Sequence, residues 1–405
     1  MLLARSSRHA LRRPGSVLCP AGAATASLPS CQPSFPLSPI HGRRTYVSDA
    51  DVEKARAYCV NQLRTGDYDA HLVRHFLPRG VRDAYLALRT LNLELVRLPE
   101  TVSNPTIGAM RMQFWKDAVN STFDGNPPRE PVSLLLYAAL AGLAARTETH
   151  PGQGNWSSIK FWLQRFITTR QQRMDNRPFA SLAALEEYAE STYATLMYVT
   201  LAMLPLRSIH VDHLASHIGK ACGIAAILRG IPVLAAPSPP SSSSSSSSLS
   251  ASAPRRNPVL LLPLDIMADV GLREEDVYRQ GPGAPGLQEA VFRVATRAND
   301  HLITAREMLK NIRAGQDPGH DYEHEGEAGH TYGEDEGGQS PWSAPSNEAP
   351  DEMRALQRGF NVLLEAVPAQ DFLTRLETAD FDAFRVKSGW KLPWSLYRAQ
   401  STQQI

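Results

Sequence analysis

The chain has 405 residues, 42% of them hydrophobic and 20% charged, so it is long enough to bury a full core and is not disordered throughout. Lysine plus arginine number 42 against 41 for aspartate plus glutamate, a balance that provides no general basic field and argues against a nucleic-acid partner. The longest apolar stretches, Val132 to Ala145 and Ala194 to Leu206, have the length of core helices and fall short of the roughly 18 to 20 unbroken apolar residues a spanning helix needs.

Residues 1–48 contain no aspartate or glutamate, while Arg5, Arg8, Arg12, Arg13, Arg43 and Arg44 lie among serine, alanine and proline. That is the makeup of a mitochondrial transit peptide, and the apolar h-region of a secretory signal is missing. Arg44 to Ser48 offers a processing point, since the first acid, Asp49, follows it. Without those six arginines, 36 basic residues face 41 acidic ones and the net charge is about −5. The four cysteines, Cys19, Cys31, Cys59 and Cys222, form no close pair, so neither a disulfide framework nor a cysteine zinc site is suggested and a reducing compartment fits.

Residues 49–405 read as one all-α domain. Val52, Ala55, Cys59 and Leu63 recur at helical spacing, followed by Val81, Tyr85, Leu88, Asn92 and Leu95, then by Ile159, Trp162, Leu163, Phe166 and Ile167. Alternating strand patterns are absent. Prolines at Pro78, Pro105, Pro127, Pro128, Pro151, Pro205 and Pro232 punctuate the segments, and about ten helices are expected. Residues 236–258, with serines at Ser241 to Ser248, and residues 314–351, Gly-rich and acidic with His320, His324 and His330, have the composition of disordered insertions. Helical patterns continue on both sides of each, over Ala284 to Ile312 and Met353 to Val367, so they read as expanded loops within one fold.

Four motifs then occur in order. His75-Phe76-Leu77-Pro78-Arg79-Gly80-Val81-Arg82-Asp83-Ala84-Tyr85 resembles the Leu-Pro turn and first catalytic helix of the squalene/phytoene synthase family. Leu185 to Thr192 resembles that family's tyrosine-bearing middle helix, Ile218 to Ala221 the start of its second catalytic helix, and Leu261 to Asp265 the Leu-Pro that follows. The resemblance covers about Asp51 to Tyr397 and implies the all-α isoprenoid-synthase fold. Its chemistry rests on two Asp-x-x-x-Asp pairs on facing helices, whose carboxylates share a helix face and hold Mg²⁺ ions on a diphosphate leaving group.

At the first pair this chain has Leu93 and Arg97, with Glu94 beside them; at the second it has Gly230 and Leu234, and the family's nearby Gln and Asn become Gly223 and Ala226. Leucine, arginine and glycine side chains do not bind magnesium, so no metal, cofactor or catalytic residue is expected and prenyl transfer is disfavoured. Glu186 with Glu190, and Asp265 with Asp269, have the same spacing but lie where the family keeps no metal ligands; they read as solvated faces or caps. The alternatives are a prenyltransferase with displaced metal ligands, and a non-catalytic isoprenoid or lipid carrier in which Arg97 holds a phosphate or carboxylate.

Thr106 to Asp117, His210 to Ala221 and Asp380 to Phe384, with the Leu392 to Tyr397 ending, resemble the branch of this family that assembles mitochondrial complex I. That resemblance implies a catalytically silent matrix protein, peripherally associated with the inner membrane, engaging complex I assembly intermediates or membrane subunits. Within these stretches Arg111, Gln113, Trp115 and Lys116 mix an aromatic with cations as interfaces do, although Phe114 and Trp115 also suit a core. His210, His213 and His217 fall at i, i+3 and i+7 beside Asp212. On a helix they offer an open zinc site or, equally, capping, packing or partner contacts, and a helix starting at Val211 leaves His210 outside.

Overall fold

The computed structural model describes residues 47–102, 104–148, 156–204, 208–236, 258–316, 349–387 and 389–405. The transit-peptide arginines, the run Ser241 to Ser248 and the histidines His320, His324 and His330 lie outside the described residues. Val47–Ile405 forms one compact unit, and among its described residues regular structure is helical, with one isolated bridge between Phe179 and Pro263.

Several helices begin where a side chain satisfies their first N–H groups. Helix α1 (Asp49–Gly66) opens on a capping box, in which the Asp51 N–H donates to Ser48 Oγ at 3.2 Å and the Ser48 N–H donates back to the Asp51 carboxylate. Asp67 caps α2 (Tyr68–Val73), Pro78 precedes α3 (Arg79–Thr101), and Asn104 caps α4 (Pro105–Phe123). The Glu130 carboxylate accepts the Val132 and Ser133 N–H groups, each at 2.8 Å, and so starts α5 (Pro131–Glu148). After α6 (Trp156–Gln172), Ser181 caps α7 (Leu182–Ala189), which passes through a π-turn (Glu190–Ala194) into α8 (Thr195–Ala202). Ser208 caps α9 (Ile209–Leu234), and the short α10 (Leu264–Asp269) and α11 (Glu274–Gln280) follow. Helix α12 (Leu287–Ala314) runs between Gly286 and Gly315, both in the left-handed region, before α13 (Ala349–Leu363), α14 (Ala366–Thr378) and α15 (Leu392–Thr402).

Among the described residues there are thus fifteen α-helices where periodicity predicts about ten. The extra ones are short, such as α2, α10 and α11, or arise from breaks such as that at Leu364 and Glu365; one or two turns are too few to carry a periodic signal. Pro232 does not end its helix but lies in the last turns of α9, where few N–H bonds remain to lose. Beyond it the Val259 N–H donates to the Leu234 carbonyl at 2.9 Å, joining the two ends of the serine-rich segment.

Helix α9 is the axis. It packs against α12, α7, the π-turn, α8, α13 and α14, while α3 packs on α1 and α5 and reaches α8. By length and composition α9 is apolar enough to cross a membrane, but more than half of its apolar window is buried by its neighbours, as befits a core helix. Its contact with the middle helix depends on two glycines. A methyl group on Gly219 would overlap the Ala194 backbone, and one on Gly223 would overlap Ala189, so backbones meet where side chains normally intervene. Replacing Gly219 by valine should therefore destabilise the domain by about 3 kcal/mol, the upper end for overpacking. Gly283→Ala, which faces open space, should stay within about 0.5 kcal/mol of the parent in the same urea titration.

Candidate functional site

The first pair of former metal positions lies against α1. Leu93 is half-buried beside Gly66, and Arg97 donates from Nη1 to Gln62 Oε1 at 2.9 Å, its guanidinium occupying the space a side chain on Gly66 would fill. Gly230 and Leu234 sit at the end of α9, the leucine side chain folded beside the glycine. Gly223, expected as a lost polar position, is the close-packing residue of the α9 crossing.

What fills the centre is a buried ion-pair cluster around Arg89, with the half-buried pair of Arg229 and Asp69 and the buried Arg170 beside it. Arg89 on α3 is 8% exposed and meets Asp67 at 2.5 Å and Glu365 at 3.7 Å. The Tyr85 hydroxyl also donates to Glu365. Arg229 on α9 pairs with Asp69 at 2.6 Å and donates to the Pro368 carbonyl at 2.7 Å. Arg170 on α6, 7% exposed, donates to the Tyr188 hydroxyl and to Asn92 Oδ1, and the guanidinium groups of Arg89 and Arg170 both lie over the Tyr193 ring. Burial opposes the charge on Arg89, yet Asp67 and Glu365 more than offset it and raise its pKa further. Burial pushes the Glu365 carboxyl up, with Arg89 and Tyr85 opposing.

This centre does not fit magnesium. The four aligned positions bear no carboxylate, the acids nearby are engaged by Arg89, Arg229 and Tyr85, and among the described residues no group of three or more His, Cys, Asp or Glu side chains could hold a metal ion. A cavity lined by Tyr85, Arg89, Met197 and Glu365 offers about 10 Å³, room for roughly one water molecule and not for an isoprenoid chain.

The glutamates of the middle helix are not solvated. Glu186 is buried and accepts from Arg297 and from His301 Nε2 at 2.7 Å, both on α12. Glu190 accepts from the Tyr198 hydroxyl at 2.5 Å and from Ser216 Oγ at 2.6 Å. The π-turn that begins at Glu190 breaks the regular register, so the pair serves two different neighbours instead of one face. Asp265 accepts the Leu182 N–H at 2.9 Å, helping to cap α7, and Asp269 lies 3.6 Å from Arg293 at the surface.

Nor do the three histidines converge. The Ser208 cap starts α9 at Ile209, so His210 lies inside the helix and meets Glu352 at 2.8 Å. His213 and His217 approach through their Nε2 atoms at 3.2 Å, and His217 Nδ1 lies 3.0 Å from His301 Nδ1. The rings of His213, His217 and His301 thus lie in one hydrogen-bonded chain that ends on Glu186. His301 and Arg297 went unremarked in the sequence; their only local signal is an i, i+4 polar pair on the apolar face of α12.

On α4, Trp115 is buried whereas its neighbour Phe114 is exposed, so the two aromatics do not share a core role. Ile107, Met110 and Phe114 form an exposed stripe with Arg111 beside it, and Gln113 donates to Asp117. Gln164 from α6 donates to the Lys116 carbonyl at 2.9 Å.

An all-α bundle of this kind has the isoprenoid-synthase-like fold. The model of the squalene/phytoene synthase family matches residues 63–319, and the chain belongs to that family. It is similar to NADH dehydrogenase (ubiquinone) complex I, assembly factor 6 of Mus musculus, 29% identical over 353 residues, covering 86% of this chain and 83% of the relative. It is 30% identical to the Bos taurus protein of the same name over 343 residues, covering 84% and 80%. The fold matches a crystal structure of a dehydrosqualene synthase with TM-score 0.54 and 13% identity, covering 87% of this chain and 98% of that one.

Burial works against the Glu186 charge, but the hydrogen bonds and charges of His301 and Arg297 win and hold its carboxyl at about 2. Its contribution to stability is thus complete above its unfolded value of about 4.5 and is lost as pH falls toward about 2. Glu186→Gln should cost about 3 kcal/mol at pH 7. In urea titrations at stepped pH, the gap between variant and parent should narrow below about pH 4.5.

Proposed function

We propose that this chain is a catalytically silent synthase relative that acts in the assembly of mitochondrial complex I, in early biogenesis of a membrane subunit. The observation that carries this reading is the replacement of both metal clamps by Leu93, Arg97, Gly230 and Leu234, around a centre closed by the Arg89 and Arg229 ion pairs. Without a Lewis acid on the leaving diphosphate, several kcal/mol of transition-state stabilisation are missing. The full-length relatives named for complex I assembly support the role. The acid-free, arginine-bearing composition of residues 1–48 supports import into the matrix, where the protein works at the inner membrane as a peripheral component.

In a strain lacking the gene, native gels should show selective loss of complex I and of NADH:ubiquinone activity, restored by the full chain. A chain without residues 1–48 should restore it only when given another matrix presequence. Normal complex I in the deletion strain would refute the role. Residues 49–405 incubated with Mg²⁺ and farnesyl or geranylgeranyl diphosphate should release no pyrophosphate, and head-to-head product would overturn the silent reading.

A further inference from the structure

Helix α15 carries two opposed faces. Leu392, Leu396 and Ala399 are buried against the domain, where α15 packs on α14 and α2. Trp394 and Tyr397 lie on the opposite face, 71% and 62% exposed, and Trp390, 76% exposed, immediately precedes the helix. At 100° per residue, Trp394 and Tyr397 fall on the outer side of the helix, and Lys391 and Arg398 flank them on one edge. Globular surfaces seldom leave two tryptophans and a tyrosine together in water.

The helix is fixed rather than dangling. Arg313 donates to the Gln403 carbonyl and Arg306 to the Ile405 carbonyl at 2.8 Å, tying the chain end to α12. The outer face is therefore presented by the folded domain.

Its charge selects the occupant. From Ala383 to Ile405 the chain contains no aspartate or glutamate; of its four cations Arg385 is paired with Asp382 at 3.0 Å, which leaves Lys387, Lys391 and Arg398. The acid that comes close, Asp371 beside Gly389, is engaged by Arg375 at 2.9 Å. Tryptophan and tyrosine put an apolar ring and a polar edge at the headgroup level, and lysine and arginine beside them reach lipid phosphates. A water-filled protein interface would be expected to offer carboxylates as well as cations, and residues 383–405 bring none.

We propose that the outer face of α15, with Trp390, Trp394 and Tyr397 as the inserting residues and Lys391 and Arg398 as headgroup contacts, docks the protein on an anionic phospholipid bilayer. The proposal rests on the membrane-peripheral reading above and assigns the surface that carries it.

The test uses the purified full chain with phosphatidylcholine vesicles containing or lacking phosphatidylglycerol. The parent should co-sediment with the anionic vesicles, release at high salt, and show a blue shift of tryptophan emission. The triple change Trp390→Ser, Trp394→Ser and Tyr397→Ser should lower partitioning at least about tenfold. Lys391→Gln with Arg398→Gln should lower it by about fivefold per charge on anionic vesicles only. All these residues are exposed, so both variants should keep the parent melting temperature. Sedimentation of the triple variant at the parent level would overturn the proposal, as would loss of binding instead in Ile107→Ser, Met110→Ser, Phe114→Ser on α4. If the parent binds neither vesicle but loses capture of a protein partner when the triple change is made, the face is a protein interface and the lipid assignment fails. Complex I rescue by the same variants separates the two readings: unchanged vesicle binding with full rescue removes α15 as the docking face and leaves the assembly role standing.

Discussion

A guanidinium group buried in the middle of a helical domain is a severe constraint, because removing it from water costs several kcal/mol unless carboxylates are in place to meet it. Arg89 meets that constraint with Asp67 from the junction of α1 and α2 and with Glu365 from the break between α13 and α14. Those acids come from opposite ends of the domain sequence, so the pairs form only when both ends have closed around α3. Arg229 repeats the arrangement on α9, joining Asp69 to the Pro368 carbonyl. The centre of the bundle is thus a latch, and breaking one partner would leave a buried charge without its counter-ion.

The same region holds the devices that bring helices unusually close. Gly219 and Gly223 let α9 touch the middle helix, and the π-turn at Glu190–Ala194 shifts that helix so Glu190 reaches Ser216 while Glu186 reaches α12. An active synthase keeps its centre open for metal ions and a long substrate. Here arginine side chains, aromatic rings and a close helix crossing occupy it, and the cavity beside Tyr85 and Glu365, of about 10 Å³, suits water.

The parts of this architecture that were legible in the sequence are those with local signals. Pro78 and Pro105 marked the boundaries before α3 and α4, periodicity marked the buried faces of α1 and α3, and the order of four motifs pointed to the fold. The ion pairs carried no such signal, because Arg89 finds its partners through tertiary closure and nothing near it in the chain marks Asp67 or Glu365. Glu186 and Glu190 misled for a related reason. Carboxylates four residues apart on a helix are usually solvated, and only the fold reveals that Arg297 and His301 wait opposite the first of them. The three histidines of α9 shared a face in principle, yet Glu352 draws His210 away and His301 extends the other two inward.

A centre closed by its own side chains changes where specificity can reside. With the carboxylates around Arg89 committed to internal partners, the outside of the domain is where charge is unevenly placed. Residues 49–405 carry 36 basic and 41 acidic groups, yet residues 383–405 contain four cations and no acid. A stretch with more cations than acids within residues 49–405, where acids are in excess, is a local field of the kind that favours anions. Trp390, Trp394 and Tyr397 lie within that stretch, so the proposed long-range attraction and short-range insertion fall on the same face. The proposed docking face needs that pairing of orientation with adhesion, and the bonds from Arg306 and Arg313 hold the end of α15 against α12.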